Sequence, residues 1–136
     1  MKISTEERQR KAAALRKQGY NCAQCVLMAF NDVTGLDDSL AARLASALGS
    51  GVGAHGEICG VANAMAIIEG TLHGPEASEK VPASKGARAV CQRFIDENEG
   101  RIRCRDLKSQ PGVRPCDELI AQGIAIFNEH LEEIGT

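Results

Sequence analysis

Six cysteines carry most of the chemistry that this sequence can offer. Cys22 and Cys25 form a C-x-x-C. Cys59 lies in the glycine-rich stretch GSGVGAHGEICG from Gly49 to Gly60, Cys104 stands in a run of arginines, and Cys116 follows Pro115. A thiolate attacks disulfides and oxidants, and it also ligates soft metals, so the same residue type serves redox chemistry or metal binding. Cys91 falls in the middle of an apolar helical stripe and is expected to be core, where cysteine behaves as a small hydrophobe.

Helix starts favour thiolates, because unpaired backbone N–H groups and the helix dipole place partial positive charge there. Cys22 and Cys59 are expected near such starts and Cys116 in the first turn of the last helix, with Cys104 just past the end of the fifth. Cys22 is therefore the candidate nucleophile, with Cys25 as its C-x-x-C partner. Cys59, Cys104 and Cys116 would resolve the mixed intermediate or form a second couple. Arg101, Arg103 and Arg105 are expected to lower the pKa of Cys104, while Glu57 near Cys59 and Asp117 beside Cys116 push the other way. The pattern assigns no pairing.

A second reading gives Cys22, Cys59, Cys104 and Cys116, with His55, to zinc or an iron–sulfur cluster. The closely spaced pair of C-x-x-C motifs common in such sites is absent. Val26 follows Cys25, so there is no C-x-x-C-H and covalent c-type haem is disfavoured. His73 is expected at a helix C-terminus and His130 on a helix surface. A third reading is structural: a helical oligomer whose cysteines merely pack.

Gly51, Gly53 and Gly56 spell G-x-G-x-x-G, which cradles a dinucleotide only between a strand and a helix. The preceding segment, Leu40 to Leu48, is helical in pattern, so that reading fails. The three glycines are instead expected either to shape a loop or to let backbone or a ligand approach Cys59 at a helix start.

The elements that must position these residues are helical. Ser4 and Glu7 predict a capping box opening a polar helix to about Gln18, ended by Gly19. Asn21 caps a second helix with Cys22, Cys25, Val26, Ala29, Phe30 and Val33 on one stripe, stopped at Gly35. Asp37 or Asp38 opens a third, expected to turn Leu40, Leu44, Ala47 and Leu48 inward. A central helix from Ile58 to about Leu72 is apolar nearly all round, and a loop spans Pro75 to Pro82. A fifth helix from about Ala83 to Asn98 carries Val90, Cys91, Phe94 and Ile95 inward. Pro111, Gly112 and Pro115 break the connector, which has one helical turn at Cys104 to Leu107. The last helix starts near Cys116 and contains Gly123, which predicts a close helix contact.

With no period-two alternation, the expectation is an all-α, single-domain bundle of about five or six helices over residues 1–136. A chain of 136 residues can bury a sizeable core. A net charge of −2 gives no reason to expect nucleic acid, and one Tyr, three Phe and no Trp offer little for base stacking. The N-terminal MKISTEERQRK lacks an apolar signal region, and no run is long enough to span a bilayer. A cytoplasmic setting is expected, with a redox partner or small-molecule ligand; a homo-oligomer stays open.

Taken together, the spaced cysteines resemble the redox-active protein family named for its C–GCAxxG–C–C pattern. The resemblance rests on Gly19-Tyr20-Asn21-Cys22-Ala23-Gln24, the glycine stretch with Cys59-Gly60, Cys104-Arg105-Asp106-Leu107, and Cys116. It implies a small helical protein in which Cys22, Cys59, Cys104 and Cys116 are redox-active or ligand-binding. It also implies that Cys25 and Cys91 are additions. A similar helical module is joined to haem-binding segments in some bacterial cytochromes, but the haem motif is missing here. Where the family reads CGAxxGA, this chain has Cys59-Gly60-Val61-Ala62-Asn63-Ala64, so a buried amide and an extra methyl are expected on the central helix.

Overall fold

The computed structural model describes residues 2–109 and 115–135 and is all-α. The helices run α1 (Thr5–Lys17), α2 (Cys22–Met28), α3 (Asn31–Thr34), α4 (Asp38–Ala45), α5 (Gly60–Thr71), α6 (Lys80–Glu97), α7 (Cys104–Ser109) and α8 (Cys116–Glu133). Among the described residues the nearest thing to a strand is one antiparallel bridge, Ile58 to Arg103. No described helix is long and apolar enough to cross a membrane. The expected breakers Pro111 and Gly112 lie outside the described residues.

Local capping chemistry sets the first two helices. The Ser4 hydroxyl accepts the Glu7 N–H at 3.1 Å, and Gly19 follows the helix end at φ +101°. Asn21 and Gln24 close a reciprocal box: the Asn21 side chain accepts the Gln24 N–H at 2.8 Å, and Gln24 Oε1 accepts the Asn21 N–H at 2.9 Å. Each such cap stabilises its helix by about 1 kcal/mol.

α2 is the hub and packs on α1, α4, α5 and α8. Ala23, Cys25, Val26 and Leu27 are fully buried, so α2 is covered all round rather than along one stripe. The expected continuous helix to Val33 breaks near Phe30 (φ −118°, ψ 26°), and α3 restarts the chain in a new direction. Phe30 then meets Phe127 of α8 edge-to-face at 5.3 Å, a geometry worth about 0.5–1.5 kcal/mol beyond area burial.

α4 turns inward the strip one residue round from the one expected, although Leu48 beyond its end packs partly on the core. Ala41 and Ala45 are inside, whereas Leu40 and Leu44 are 41% and 50% exposed. Small side chains let α4 lie close to α2, close enough that Gln24 Nε2 donates to the Ala42 carbonyl at 2.8 Å and Asn21 Nδ2 to Ser46 at 3.1 Å. Leucines on that face would hold the helices apart.

α5 runs through the middle against α2, α6 and α8. A Cβ on Gly123 would collide with Val61 Cγ1, so the glycine in α8 marks the close crossing its sequence predicts. α6 begins earlier than expected, at Lys80 after a 3-10 turn over Ala77–Glu79. Pro82 is accommodated because first-turn N–H groups have no partner within the helix. Arg8, the most deeply buried cation, ties α1 inward: it donates to Asp32 through two nitrogens (2.7 and 3.0 Å), to Asn128 Oδ1 at 2.9 Å and to the Ala29 carbonyl at 2.8 Å.

Candidate functional site

Two short backbone segments build the site. Residues 56–59 and 102–105 run antiparallel: Ile102 O accepts the Cys59 N–H (2.8 Å), Glu57 O accepts the Cys104 N–H (2.7 Å), and Gly56 O accepts the Arg105 N–H (3.1 Å). This pairing sets the start of α5 beside the start of α7. The Asn21 box delivers Cys22 at the start of α2, and α8 delivers Cys116.

Cys22, Cys59, Cys104 and Cys116 line one cavity with Gly60, Leu107, Lys108, Val61 and Leu119. Its volume is about 10 Å³, roughly the space for one water. All six cysteines are free thiols. Cys22, Cys59 and Cys104 are 8%, 4% and 7% exposed, whereas Cys116 is half-buried. A larger groove of about 460 Å³ runs over Ala12, Ala13, Ile120 and Ala121 between α1 and α8 and holds no cysteine. Size does not mark the chemistry here.

Gly60 makes room for Cys22. A Cβ at position 60 would lie 2.6 Å from Cys22 Sγ and 3.0 Å from the Leu48 carbonyl. Of the glycine stretch, Gly60 is thus the one that lets a sulfur approach. Gly51, Gly53 and Gly56 line no part of the cavity: Gly51 packs on the Glu57 backbone and Gly56 on Arg105, while Gly53 is exposed. Gly51 and Gly53 belong to a left-handed run, Ser50 to Ala54, in which five consecutive residues have φ between +53° and +75°; Gly56 stands outside it at φ +73°. Ser50, Val52 and Ala54 there each cost roughly 1–2 kcal/mol.

The arginines around Cys104 do not serve its sulfur. Arg103 and Arg105 reach Glu57 at 2.9 and 2.6 Å, and the Arg103 hydrogen bond is the chief reason the Glu57 carboxyl sits below its ordinary range. Burial pushes the Cys104 thiol up, and Lys108 only partly opposes it. The expected lowering at Cys104 is therefore reversed. Burial likewise pushes Cys59 up to about 12, against the pull of the Val61 and Ala62 amides at the start of α5. A helix start does not rescue a thiolate that water cannot reach.

Lys108 is the cation that faces the sulfurs. Burial pulls its ammonium down, but Cys116 and Cys104 outweigh that and raise it above its ordinary value, with a hydrogen bond to Cys116 contributing. Its signal in the sequence is the i, i+4 spacing from Cys104 on α7. The arginines drew attention away from it.

Cys25 is turned aside: it is fully buried, its thiol donates to the Tyr20 carbonyl at 3.7 Å, and burial pushes it up to about 11. The C-x-x-C therefore splits, one sulfur entering the cavity and the other the core. Cys91 is half-buried and donates to the Ala62 carbonyl at 3.9 Å. His55 is exposed, and its carbonyl accepts from Arg105 at 2.8 Å. Asp117 pairs with Arg16 at 3.2 Å.

Among the described residues no three His, Cys, Asp or Glu side chains are placed to hold a metal ion. A lysine ammonium on two of the four sulfurs also opposes a second cation. The zinc or iron–sulfur reading therefore gains no support from the described residues.

His130 is buried rather than on a helix surface. The carboxylate of Glu69, itself buried, sits between His73 Nε2 at 2.7 Å and His130 Nε2 at 2.8 Å, close against Gly86 of α6. Glu69 and His73 share the i, i+4 spacing; His130 is far away in sequence and gave no local signal. The expected amide at Asn63 is only half-buried and donates to the Ile58 carbonyl at 3.1 Å, while Ala64 is fully buried.

No curated protein and no solved structure matches the chain significantly. The family model described as "Putative redox-active protein (C_GCAxxG_C_C)" matches residues 20–130. That span takes in all four cavity sulfurs and the segments that carry them, and the chain belongs to this C_GCAxxG_C_C family.

Proposed function

We propose that the protein carries out thiol–disulfide exchange at the four-sulfur cavity, with Cys116 as the sulfur that meets the substrate. One observation carries this reading: Cys22, Cys59, Cys104 and Cys116 line a single cavity in which Lys108 contacts Cys116 and Cys104. Cys116 displaces Cys22 as the candidate nucleophile, because it is half-buried where the other three are covered.

In the first step Cys116 Sγ, as thiolate beside the Lys108 ammonium, attacks one sulfur of a disulfide RSSR. A Cys116–SR bond forms and RS⁻ leaves. In the second, Cys104 Sγ attacks Cys116 Sγ, closing a Cys104–Cys116 disulfide and releasing the second RS⁻. RSSR is reduced to two thiols while two protein thiols are oxidised. Lys108 lines the same cavity as both sulfurs. The substrate is a small-molecule or protein disulfide in a compartment, such as the cytoplasm, that keeps thiols reduced.

Reduced protein mixed anaerobically with glutathione disulfide tests the proposal. Glutathione should be released with second-order kinetics, and Cys116→Ser should abolish the release while Cys91→Ser leaves it intact. Release that persists at the wild-type rate in Cys116→Ser, or no release by the wild type, overturns the assignment.

A further inference from the structure

We propose that the four sulfurs act as two couples: an outer pair, Cys104 and Cys116, that exchanges with substrate, and an inner pair, Cys22 and Cys59, that holds a second two-electron equivalent. This rests on the thiol–disulfide reading above and adds a division of labour to it.

The partition follows from which side chain holds which sulfur. Gly60 has no side chain, so Cys22 Sγ lies against the first residue of α5, directly after Cys59. Cys104 and Cys116 instead share Lys108, which reaches the cavity from α7. The electrostatics divide the same way. Cys59 feels Cys22 more strongly than it feels Cys104, and Cys104 feels Cys116 more strongly than Cys22. Neither inner sulfur has a cation of its own in the cavity, and both are nearly closed to water. Direct attack by either on an external disulfide is therefore disfavoured.

The two couples communicate through Cys59 and Cys104, which line the same cavity and stand one on each side of the Ile58–Arg103 bridge, Cys59 opposite Ile102 and Cys104 opposite Glu57. Once the outer disulfide has formed, Cys59 Sγ attacks Cys104 Sγ. The Cys104–Cys116 bond breaks and Cys116 leaves as thiolate. Cys22 Sγ then attacks Cys59 Sγ and displaces Cys104. The inner dithiol becomes a disulfide, the outer disulfide returns to a dithiol, and the two inner protons end on Cys104 and Cys116. No further reagent is required, and the outer pair is ready for a second RSSR.

Anaerobic titration of the reduced protein with glutathione disulfide, followed by alkylation and disulfide mapping by peptide mass spectrometry, decides this. The wild type should consume about two equivalents and end with Cys22 joined to Cys59 and Cys104 joined to Cys116, as exchange between two couples requires. Cys59→Ser should stop at about one equivalent, with the outer bridge alone. The wild-type map is decisive on its own if Cys59→Ser fails to fold. A wild type that stops at one equivalent, or whose final map shows Cys22–Cys116 and Cys59–Cys104, overturns the two-couple inference and leaves thiol–disulfide exchange standing. Absence of any bridge and of any released glutathione overturns both.

Discussion

The sulfur of Cys22 occupies space that any side chain at position 60 would claim: an ideal Cβ there lies 2.6 Å from Cys22 Sγ and 3.1 Å from Ala23 Cβ. One missing carbon at the start of α5 thus fixes how close α2 can bring its thiol. Gly60→Ala is expected to cost about 2 kcal/mol, the usual scale for overpacking, and to displace Cys22 toward solvent. A urea midpoint measures the first effect and residue-resolved alkylation the second. A variant of unchanged stability with unchanged Cys22 labelling would show that the contact has no consequence.

Lys108→Met keeps most of the side-chain length and removes the charge from the cavity. Labelling of Cys116 by iodoacetamide at neutral pH should slow by up to about tenfold, because the thiolate loses its cation. Labelling of Cys91, at a different place in the fold, should not change. Equal slowing at both sulfurs would mean a general loss of structure and would count against an electrostatic role for the lysine.

Val52 has φ +64° and is 43% exposed, so a β-branched residue sits in a left-handed conformation with little packing in return. Val52→Gly removes roughly 1–2 kcal/mol of strain against a glycine cost of about 0.5–1 kcal/mol. The variant should be more stable by about 0.5–1 kcal/mol, read as a melting temperature raised by about 2–4 °C. A lowered melting temperature would mean that the Val52 side chain contributes more than its exposure implies.

Arg8→Met strands Asn128 Oδ1 and the Ala29 carbonyl and leaves Asp32 without its partner. A loss of about 3 kcal/mol is expected, chiefly for the two buried acceptors left unpaired, since Asp32 is itself 40% exposed. The pH dependence has a definite sign. Burial pushes the Asp32 carboxyl up, but hydrogen bonding and charge from Arg8 outweigh it and hold it below its ordinary value. A depressed carboxyl stabilises the fold above the unfolded-state pKa of about 4, and that contribution fades as pH falls through the folded-state value. The gap in unfolding free energy between wild type and Arg8→Met should be full at pH 7 and should narrow by the Asp32 share as pH falls below about 4. A gap that stays constant with pH would exclude Asp32 as its source.

The legible parts of this molecule were the local ones. The Ser4 cap, the Asn21–Gln24 box and the Gly19 and Gly35 stops all act within a few residues, so their chemistry is visible in the string itself. The glycine of the α8 crossing was visible for the same reason: mid-helix glycine is costly and implies a neighbour. The buried face of α4 was not, because alanine beat leucine only through the closeness of α2, a fact about another segment. The site divided in the same way. That the cysteines at positions 22, 59, 104 and 116 form one set was implied by the family resemblance, their places at helix ends leaving convergence open, whereas Lys108 was masked by three arginines that Cys104 does not use. Thiol acidity was misjudged for Cys104, because its neighbouring arginines are local in sequence but access to water is not. His130 and Glu69 lie 61 residues apart and meet only in the folded chain.

The pairing of residues 56–59 with 102–105 through three backbone hydrogen bonds has a further implication. It ties a segment of the first half of the chain to one of the second and carries a cavity sulfur on each, so loosening it would part Cys59 from Cys104. On the two-couple proposal only the passing Cys59–Cys104 bond would span this joint, so the seam would be braced while the couples exchange and unbraced at rest.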